Sequence, residues 1–307
     1  MDTRWKQSRV GVLMGGLSVE REVSLDTGRG VHAALVERGY DVVAIDWHDG
    51  QSLPKLLADA GVAVVWNALH GTYGEDGGVQ GLCQCMHIAC TGSGVLASAL
   101  AMDKVMSKRI FDSSGVPTPA WALVDPHAVA LPDGFAPPLV IKPACEGSSV
   151  GVTIVHAAAE IPDALALARR YHGPTLVEAF IAGDEIQTAI FEGDVLGSVE
   201  IVPAVEFYDY DAKYKRDDTQ YLLPPHLAPE PLAAVEAAAL HAHNALACST
   251  YSRVDLRLST DGTPFVLEVN TLPGMTSHSL LPKIGAHRGI DYATLCERIL
   301  AGTILSF

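Results

Sequence analysis

The sequence predicts an α/β fold that opens with a parallel sheet, and three observations support this prediction. Residues 1–95 alternate apolar strand segments with helical segments, which is typical of a parallel sheet covered by helices. From residue 117 onward strand segments dominate, and Gly193 can supply the positive φ that a hairpin turn needs. Apolar residues make up 49% and charged residues 19% of the chain, a composition that argues against disorder.

Seven segments form the predicted N-terminal layer. The strands are VGVLMGG, DVVAIDW, VAVVWNALHG and HIACTGS, and the helices are Glu22–Arg38, Gln51–Ala60 and Gly78–Met86. Ligands of such sheets bind beyond the carboxyl ends of the strands. In this chain those ends carry Gly15–Gly16, His70–Gly71 and Gly92–Ser93–Gly94.

The rest of the chain begins with a predicted helix at Leu96–Phe111 and continues with strands. The predicted strands are PPLVIKPA, VGVTIV, PTLVEAFI, the two strands of EIQTAIFEGDVLGSVEIVP, STYSRVDLRLS and PFVLEVN. Further helices are predicted at Pro162–Tyr171, at Pro231–Ala247 and from Asp291 onward. Residues 207–225 are polar and lack periodicity, so they are predicted to form a long loop of the kind that often carries function.

Composition excludes several classes of protein. The chain of 307 residues has room for one to three domains, and its net charge of −15 argues against a nucleic-acid partner. No apolar run reaches about 18 residues, which predicts that no segment spans a membrane. The run before Gly15–Gly16 is interpreted as a buried strand and not as a signal peptide. The six cysteines form no C-x-x-C pair and are interpreted as reduced core residues of a cytoplasmic protein.

The segment VIKPACEGSSVGV indicates a phosphate site. Lys142 ends a strand and can hold a phosphate as a point charge. Gly147, Ser148 and Ser149 follow, and they can direct backbone N–H groups and hydroxyls toward phosphate oxygens. The order differs from a P-loop, because the lysine precedes the glycine. From these residues alone, a plain β-hairpin with a surface lysine is the favoured interpretation.

A second pattern, near the C-terminus, indicates a metal site. Asp255 lies in one strand, Glu268 and Asn270 lie in the next, and the turn STDGTP pairs the strands so that the three side chains share a face. Oxygen ligands of this kind suit Mg²⁺, whereas two facing acids without a cation repel each other. An ordinary polar hairpin face is the alternative. Arg253 lies on the same face, where it can contact a transferred phosphoryl group or an oxyanion.

Seven segments follow one another in the order of one known family: GGLSVEREVSLDTG, ALHGTYGEDGGVQGL, TGSGVLASALAMDK, IKPACEGSSVGV, FYDYDAKY, SRVDLRL and LEVNTLPGMTSHSLLP. Together they resemble the D-alanine–D-alanine ligases of the ATP-grasp superfamily, over nearly the whole chain. The resemblance implies a three-domain ATP-grasp fold. Residues 1–100 would form the N-terminal domain, residues 101–184 the central domain and residues 185–307 the C-terminal domain, with the nucleotide between the last two.

The activity that this resemblance implies joins two D-alanines for peptidoglycan precursor synthesis. ATP phosphorylates the carboxylate of the first D-alanine, the amine of the second attacks the acyl phosphate, and ADP and phosphate are released. Two Mg²⁺ ions, replaceable by Mn²⁺, would be held by Asp255, Glu268 and Asn270. Lys104, Lys142, Ser148 and Ser149 would bind the ATP phosphates. Glu178, Ala179, Phe180 and Ile181 would line the adenine slot, and Glu185 would hold the ribose hydroxyls.

The resemblance also implies roles around the amino-acid substrates. Glu20 would bind the ammonium of the first D-alanine, the alternative being a charge that only favours a helix N-terminus. His70 would lie near the reacting end, the alternative being a polar residue satisfied within the fold. Arg253 and the N–H of Gly274 would form an oxyanion hole. Ser279 and Leu280, at a helix start, would receive the second carboxylate.

Residues 207–225 resemble the lid of the family, which protects an acyl phosphate from water. Tyr214 would bond Ser148, Ser148 would bond Glu20, and Lys213 would reach the transferred phosphate. The chain departs from the family at Ala179, where lysine is common, and at Cys145, where arginine is frequent.

Two alternatives stay open beside the dipeptide ligase: a ligase of the same fold for D-lactate or D-serine, and a non-catalytic ATP-binding module. The AKY segment with Tyr214 favours the dipeptide type, and the complete set of metal ligands argues against the module. As partners we expect two D-alanine molecules and a second copy of the chain in a homodimer, with neither nucleic acid nor membrane.

Overall fold

The protein is an α/β structure built on three sheets. The computed structural model describes residues 4–128, 130–147, 150–171, 173–202 and 219–303. The first sheet contains β1 (Arg9–Gly15), β2 (Asp41–Trp47), β3 (Val64–Asn67) and β4 (Ala89–Cys90) in the order β2-β1-β3-β4. All its pairings are parallel, so the predicted N-terminal parallel sheet is confirmed.

Helices cover both faces of this first sheet. They are α1 (Arg21–Glu37), α2 (Leu53–Ala60) and α3 (Gly78–Cys85), close to their predicted positions. Helix α1 packs tightly on β1: a Cβ at Gly28 would lie 2.5 Å from the Cβ of Met14, so glycine permits the close approach. Helices α2 and α3 bury Leu57 and Val79 on the opposite face.

The second sheet is antiparallel and lies in the middle of the chain. It contains β5 (Trp121–Val124), β6 (Leu139–Pro143), β7 (Thr153–Val155) and β8 (Thr175–Ala179) in the order β5-β8-β6-β7. Helix α6 (Ile161–Ala168) buries its apolar face against this sheet. The other face of the sheet therefore remains available for contacts with the rest of the protein.

The third sheet is also antiparallel and has five strands. It contains β9 (Gly183–Phe191), β10 (Asp194–Val202), β11 (Gln220–Leu222), β12 (Tyr251–Ser259) and β13 (Pro264–Asn270), ordered β11-β10-β9-β12-β13. The predicted β9–β10 hairpin is confirmed, with Gly193 at φ 84°. Helix α7 (Pro229–Ala245) packs on one face. Helices α8 (Leu280–His287) and α9 (Tyr292–Ala301) belong to the core on the other.

The N-terminal and C-terminal parts of the chain share one apolar core. Val12 and Trp66 of the first sheet belong to the same buried cluster as Tyr251, Ile299 and Leu300. Polar contacts reinforce it, since the Tyr40 hydroxyl donates to Glu297 Oε1 over 2.9 Å, and Lys6 Nζ lies 3.5 Å from the same oxygen. The last helix therefore completes the hydrophobic layer on α1 and β1.

The prediction of a single helix over Leu96–Phe111 is wrong. The structure has two helices, α4 (Val95–Met102) and α5 (Lys104–Ser114), separated at Asp103. The backbone of Asp103 is extended (φ −90°, ψ 101°), and its side chain accepts hydrogen bonds from the N–H groups of Val105 and Met106. An aspartate that caps a helix in this way starts a new helix, whatever the propensity of its neighbours.

Two further predictions need correction. The strand predicted at VAVVWNALHG ends at Asn67, whose side-chain oxygen accepts from the N–H of Leu69 at 3.1 Å and turns the chain. The predicted loop over 207–225 includes strand β11, which pairs with the end of β10. Residues 203–218 lie outside the described ranges.

All six cysteines are free thiols. Cys83 and Cys296 are buried as predicted, but Cys85 is exposed, so the core assignment is wrong for that residue. None of the helices in the described ranges is long and apolar enough to cross a membrane.

The buried His243 of α7 makes the free energy of unfolding depend on pH. Its ring is 2% exposed, and its Nδ1 lies 2.7 Å from the Oγ of Ser252. Burial lowers the pKa of His243 from 6.5 to about 4. The unfolded chain therefore takes up a proton at a higher pH than the folded protein does. This contribution to stability is complete above pH 6.5 and is lost as the pH falls toward 4.

We predict that His243→Gln removes this acid sensitivity. The wild-type free energy of unfolding should fall by up to roughly 1.4 kcal/mol per pH unit more steeply than that of the variant within this window. Denaturant unfolding between pH 4 and 7 measures the difference. His241→Gln is the matched control, because His241 is exposed on the same helix. Equal slopes for His243→Gln and wild type would contradict the prediction.

Candidate active site

Two clefts meet at the ion pair between Lys104 and Glu268. The first cleft encloses about 1170 Å³ including its open mouth, and Glu20, His70 and Arg253 line it. The second encloses about 930 Å³ between the second and third sheets. Lys104, Glu146 and Glu268 line both clefts. A group bound in one cleft therefore lies next to a group bound in the other.

The third sheet brings the predicted metal ligands together. Asp255 lies directly opposite Glu268, and Arg253 lies directly opposite Asn270, in the β12–β13 pairing. Residues that face each other across antiparallel strands share one side of the sheet, so the four side chains form one row. The pairing shifts register after Asp255: Leu256 lies opposite Val266, so no residue of β12 lies opposite Leu267. The predicted shared face is thus present.

Cations surround the two facing acids. Arg253 donates to Asp255 through Nε at 2.7 Å and through Nη2 at 3.0 Å, and Gln187 donates to the same carboxylate over 3.3 Å. Lys104 Nζ lies 3.0 Å from Glu268 Oε2. This arrangement offsets the repulsion that two opposed acids would otherwise feel.

The donor set fits a hard divalent cation. The described part of the chain contains no group of three or more His, Cys, Asp or Glu side chains placed to hold a metal ion. The amide of Asn270 offers a third side-chain oxygen in the same row as Asp255 and Glu268, and its Oδ1 accepts the N–H of Leu272 at 2.9 Å. Two carboxylates and an amide are ligands that Mg²⁺ accepts together with phosphate oxygens.

Lys104 is the cation at the junction of the clefts. It is 9% exposed, it donates to the carbonyl of Glu146 at 2.7 Å, and its backbone N–H donates to Ala144. Burial alone would lower its pKa, but the neighbouring Glu268 outweighs burial, and the pKa of Lys104 is raised. Lys104 therefore stays charged at neutral pH. The helix break at Asp103 sets its direction.

Lys142 is not a surface lysine, so that alternative is wrong. It is 7% exposed, and its Nζ lies 2.9 Å from Glu178 Oε1. Lys108, which is fully buried, lies 3.1 Å from the same oxygen and donates to Thr118 Oγ1 at 2.7 Å. Burial would raise the pKa of Glu178, but the two lysines lower it overall. Burial lowers the pKa of Lys108 to about 8.

Apolar and charged side chains both line the second cleft. Val140, Ile154 and Leu267 contribute apolar walls, together with Phe180 and Ile181. Lys104, Lys142 and Glu178 line the same cleft, and so do Glu185 and Arg257, which pair with each other. Apolar walls combined with lysine side chains suit a planar ring joined to phosphates.

Glu20 and His70 both line the first cleft. Glu20 is the N-cap residue of α1, where its side chain makes no capping hydrogen bond, and it lines the cleft. A Cβ at Gly147 would lie 4.0 Å from its Oε2, which places Glu20 beside the loop after Lys142. His70 contacts Glu75 through Nδ1 and Thr27 through Nε2, each at 3.3 Å. Both ring nitrogens of His70 therefore have partners within the fold, and the residue also lines the first cleft.

The loop after β13 closes the first cleft. Leu280 is the first residue of α8 and Ser279 is its N-cap, so the predicted helix start is confirmed. A Cβ at Gly274 would lie 2.8 Å from the Oγ of Ser279, so a larger residue there would displace the Ser279 side chain. Ser279 Oγ also accepts from the N–H of Thr276 at 3.0 Å. The predicted residues Ser148, Ser149, Lys213 and Tyr214 lie outside the described ranges.

Four residues of the site were missed from the sequence. Lys108, Gln187, Arg257 and Glu75 all contact predicted site residues. Arg257 lies two residues beyond Asp255 on the same strand face, and Lys108 lies one helical turn after Lys104, so spacing alone could have indicated both. The positions of Gln187 and Glu75 depend on strand pairing and loop folding, which periodicity does not reveal.

The three-sheet fold and the slot between the second and third sheets define an enzyme of the ATP-grasp class. A family model described as the D-ala D-ala ligase C-terminus matches residues 110–301. The chain is 49% identical over 306 residues to a D-alanine–D-alanine ligase of Anaeromyxobacter sp., covering 98% of this chain and 99% of that protein. The chain belongs to the D-alanine–D-alanine ligase family.

Solved structures agree with this assignment. Crystal structures of the D-alanine–D-alanine ligase from Bacillus anthracis superpose with TM-scores of 0.85 and, for its complex with ATP, 0.83, at 39% and 36% identity. They cover 96% of this chain and 96–97% of those chains. The VanG D-Ala:D-Ser ligase from Enterococcus faecalis gives a TM-score of 0.80 at 27% identity, covering 95% of this chain and 98% of that one.

We predict that Lys108→Met destabilises the protein by about 3 kcal/mol, because it removes one of two cations from a buried carboxylate. Denaturant unfolding measures the loss. Lys55→Met is the matched control: Lys55 pairs with Asp59 on an exposed helix face, and such a pair contributes about 0.5 kcal/mol or less. If the two variants were equally stable, the buried cluster would not support the fold.

Proposed function

We propose that this protein is an ATP-dependent ligase that joins two D-alanines into D-alanyl-D-alanine for peptidoglycan precursor synthesis, releasing ADP and phosphate. The observation that carries the proposal is the junction of two clefts at Lys104 and Glu268. One cleft has the shape and charges for a nucleotide, and the other has a carboxylate, an arginine and a helix start for small zwitterions. The family relationship adds independent support.

ATP would occupy the second cleft. Its adenine would lie between Val140 and Leu267, and its phosphates would point toward Lys142 and Lys104. The two lysines come from different elements, β6 and α5, so they can contact a polyphosphate from two sides. Asp255, Glu268 and Asn270 would hold divalent ions, which supply charge neutralisation of the phosphates. We take Mg²⁺ to be the physiological ion and Mn²⁺ to be an accepted substitute.

The first D-alanine would bind with its ammonium on Glu20 and its carboxylate toward the junction. There a carboxylate oxygen forms a bond to the γ-phosphorus while the bond from that phosphorus to the β-phosphate bridging oxygen breaks, giving acyl phosphate and ADP. Charge accumulates on the transferred group, and the cationic side chains of Lys104 and Arg253 face that place. His70 lines the same cleft, and its contacts with Glu75 and Thr27 hold its ring in place.

The second D-alanine would bind beside α8, with its carboxylate at Ser279 and Leu280. Its ammonium first loses a proton to solvent, and the free amine attacks the acyl carbon. The carbon–oxygen bond to phosphate then breaks, and the proton released as the amide forms goes to the departing phosphate. The negative oxygen of the tetrahedral intermediate would be stabilised by Arg253 and the N–H of Gly274. Both residues line the first cleft near the junction, which supports this assignment.

The remaining assignments are also proposals. Domain boundaries near residues 100 and 184 are supported by the break at Asp103 and by the step from β8 to β9, where one sheet ends and the next begins. We further propose a homodimer in the cytoplasm. Sedimentation of the purified chain tests the dimer.

The proposed reaction has a direct test. With Mg²⁺ at pH 7–8, ATP and D-alanine alone should give equal amounts of phosphate and D-alanyl-D-alanine, measured by phosphate release and mass spectrometry. Added D-lactate or D-serine should not divert the product. A depsipeptide or a D-alanyl-D-serine as the main product would favour the related ligases. Nucleotide binding without phosphate release would favour a non-catalytic module.

The proposed metal role has a separate test in Glu268→Gln. We expect kcat/KM to fall by about 100-fold or more, because the amide is neutral and a poorer ligand for Mg²⁺. The Mg²⁺ concentration for half-maximal rate should rise in the same variant, which separates a metal role from the loss of the Lys104 ion pair. Glu192→Gln is the control, since Glu192 pairs with Arg298 at the surface. Near-normal phosphate release by Glu268→Gln would show that the metal assignment is wrong.

A further inference from the structure

Arg257 is a cleft residue that the proposed mechanism does not use. It follows Arg253 and Asp255 at alternate positions of β12, so its side chain emerges on the same face. Its Nε donates to the carbonyl of Ile181 at 3.2 Å, and its Nη2 donates to the carbonyl of Gly183 at 2.7 Å. One guanidinium group thus binds a carbonyl of the segment between β8 and β9 and the carbonyl of the first residue of β9.

The same guanidinium group contacts Glu185. Arg257 Nη1 lies 3.4 Å from Glu185 Oε2, and the two residues are direct neighbours in the β9–β12 pairing. Their side chains are only 21% and 15% exposed, so water screens the pair weakly. The guanidinium carbon also lies 5.9 Å from the ring centroid of Phe180, which lines the same cleft.

The backbone around this contact is tightly fixed. Gly183 has φ +138°, and a Cβ there would lie 1.9 Å from the carbonyl oxygen of Leu258. The segment therefore runs directly against β12 at a position that only glycine can occupy. Strand β9 pairs with β12 over nine residue pairs, from Gly183 to Phe191. Because this ladder already joins β9 to β12, the contacts of Arg257 are not required to hold the two strands together.

We propose that Arg257 is a positioning residue that orients Glu185 toward the ribose of the bound nucleotide and holds residues 181–183 against its base. This inference rests on the proposed function. A carboxylate can accept hydrogen bonds from two vicinal hydroxyls, but only if its plane is fixed. A planar guanidinium can fix that plane while it also satisfies two carbonyls, and a lysine ammonium has no such fork. Arg257 therefore sets both ATP affinity and the preference for a ribose over a deoxyribose.

The test compares Arg257→Met and Arg257→Lys with wild type, using ATP and 2′-deoxyATP as alternative substrates. We expect Arg257→Met to raise the KM for ATP by about tenfold, because Glu185 is no longer held where it can accept hydrogen bonds from the sugar. The ratio of kcat/KM for ATP to that for 2′-deoxyATP should fall by about the same factor. The kcat and the KM for D-alanine should stay within about twofold of wild type, since the first cleft is untouched. Arg257→Lys should show the same shifts.

Arg298→Met is the matched control. Arg298 pairs with Glu192 at 3.0 Å and lies 4.7 Å from the ring centroid of Phe191, so it makes similar contacts outside both clefts. Its substitution should leave the nucleotide ratio unchanged. A double variant with Glu185→Gln should show no further loss of the ratio beyond the single variants, because the arginine acts through the carboxylate.

Two outcomes would overturn the inference. One is an unchanged ATP to 2′-deoxyATP ratio in either Arg257 variant, with the wild-type enzyme active. The other is a loss of the ratio in the double variant that equals the product of the two single losses. Failure of the proposed function is a different result, because the wild-type chain would then make no dipeptide from ATP and D-alanine. The lysine variant keeps the charge, so the test does not depend on the folding of the methionine variant.

Discussion

Two carboxylates that face each other across a pair of strands dictate the layout of this site. Asp255 and Glu268 are direct partners in the β12–β13 ladder, and they repel each other unless positive charge is close. Arg253 compensates one of them and Lys104 the other. Both cations also line the first cleft, and Lys104 lines the second, so the charges that let the hairpin form lie where the two clefts meet. Stability and chemistry are coupled at this point.

The electrostatics of the second cleft depend on a cluster behind it. Glu178 is buried between Lys108 and Lys142, and the net charge of these three groups remains positive. A single lysine paired with a buried glutamate would present no net charge to a phosphate. The second lysine therefore matters even though it is completely covered. Lys108 pairs with the Glu178 carboxylate, so the three groups together present a positive charge to the second cleft.

Much of the fold was visible in the sequence because the signals are local. Continuous apolar strands gave β1 and β2, and the STDGTP turn implied the antiparallel hairpin that carries Asp255 and Glu268. The helix break at Asp103 was missed because the flanking residues all favour a helix and only the cap distinguishes the position. Strand β11 was missed because three residues at a sheet edge show no periodicity.

The site was predictable where spacing along one strand determines it. The roles of Lys104 and Glu20 rested on family resemblance, since no local pattern shows that α5 and α1 point into one cleft. The cross-strand contacts of Gln187 and Arg257 depend on the register between β9 and β12. These two strands are neighbours in the sheet, but strands β10 and β11 and helix α7 lie between them in the sequence. Register of that kind is set by tertiary packing and not by neighbouring residues.

The shared core of the N-terminal and C-terminal parts has a consequence for the newly made chain. Ile299 and Leu300 cover the same apolar cluster that contains Val12 and Trp66, so the first sheet is translated long before its outer face is covered. During synthesis the apolar side chains of that face cannot be covered before α9 has been translated. Completion of the N-terminal layer thus depends on α9, although the strands of that layer are translated much earlier.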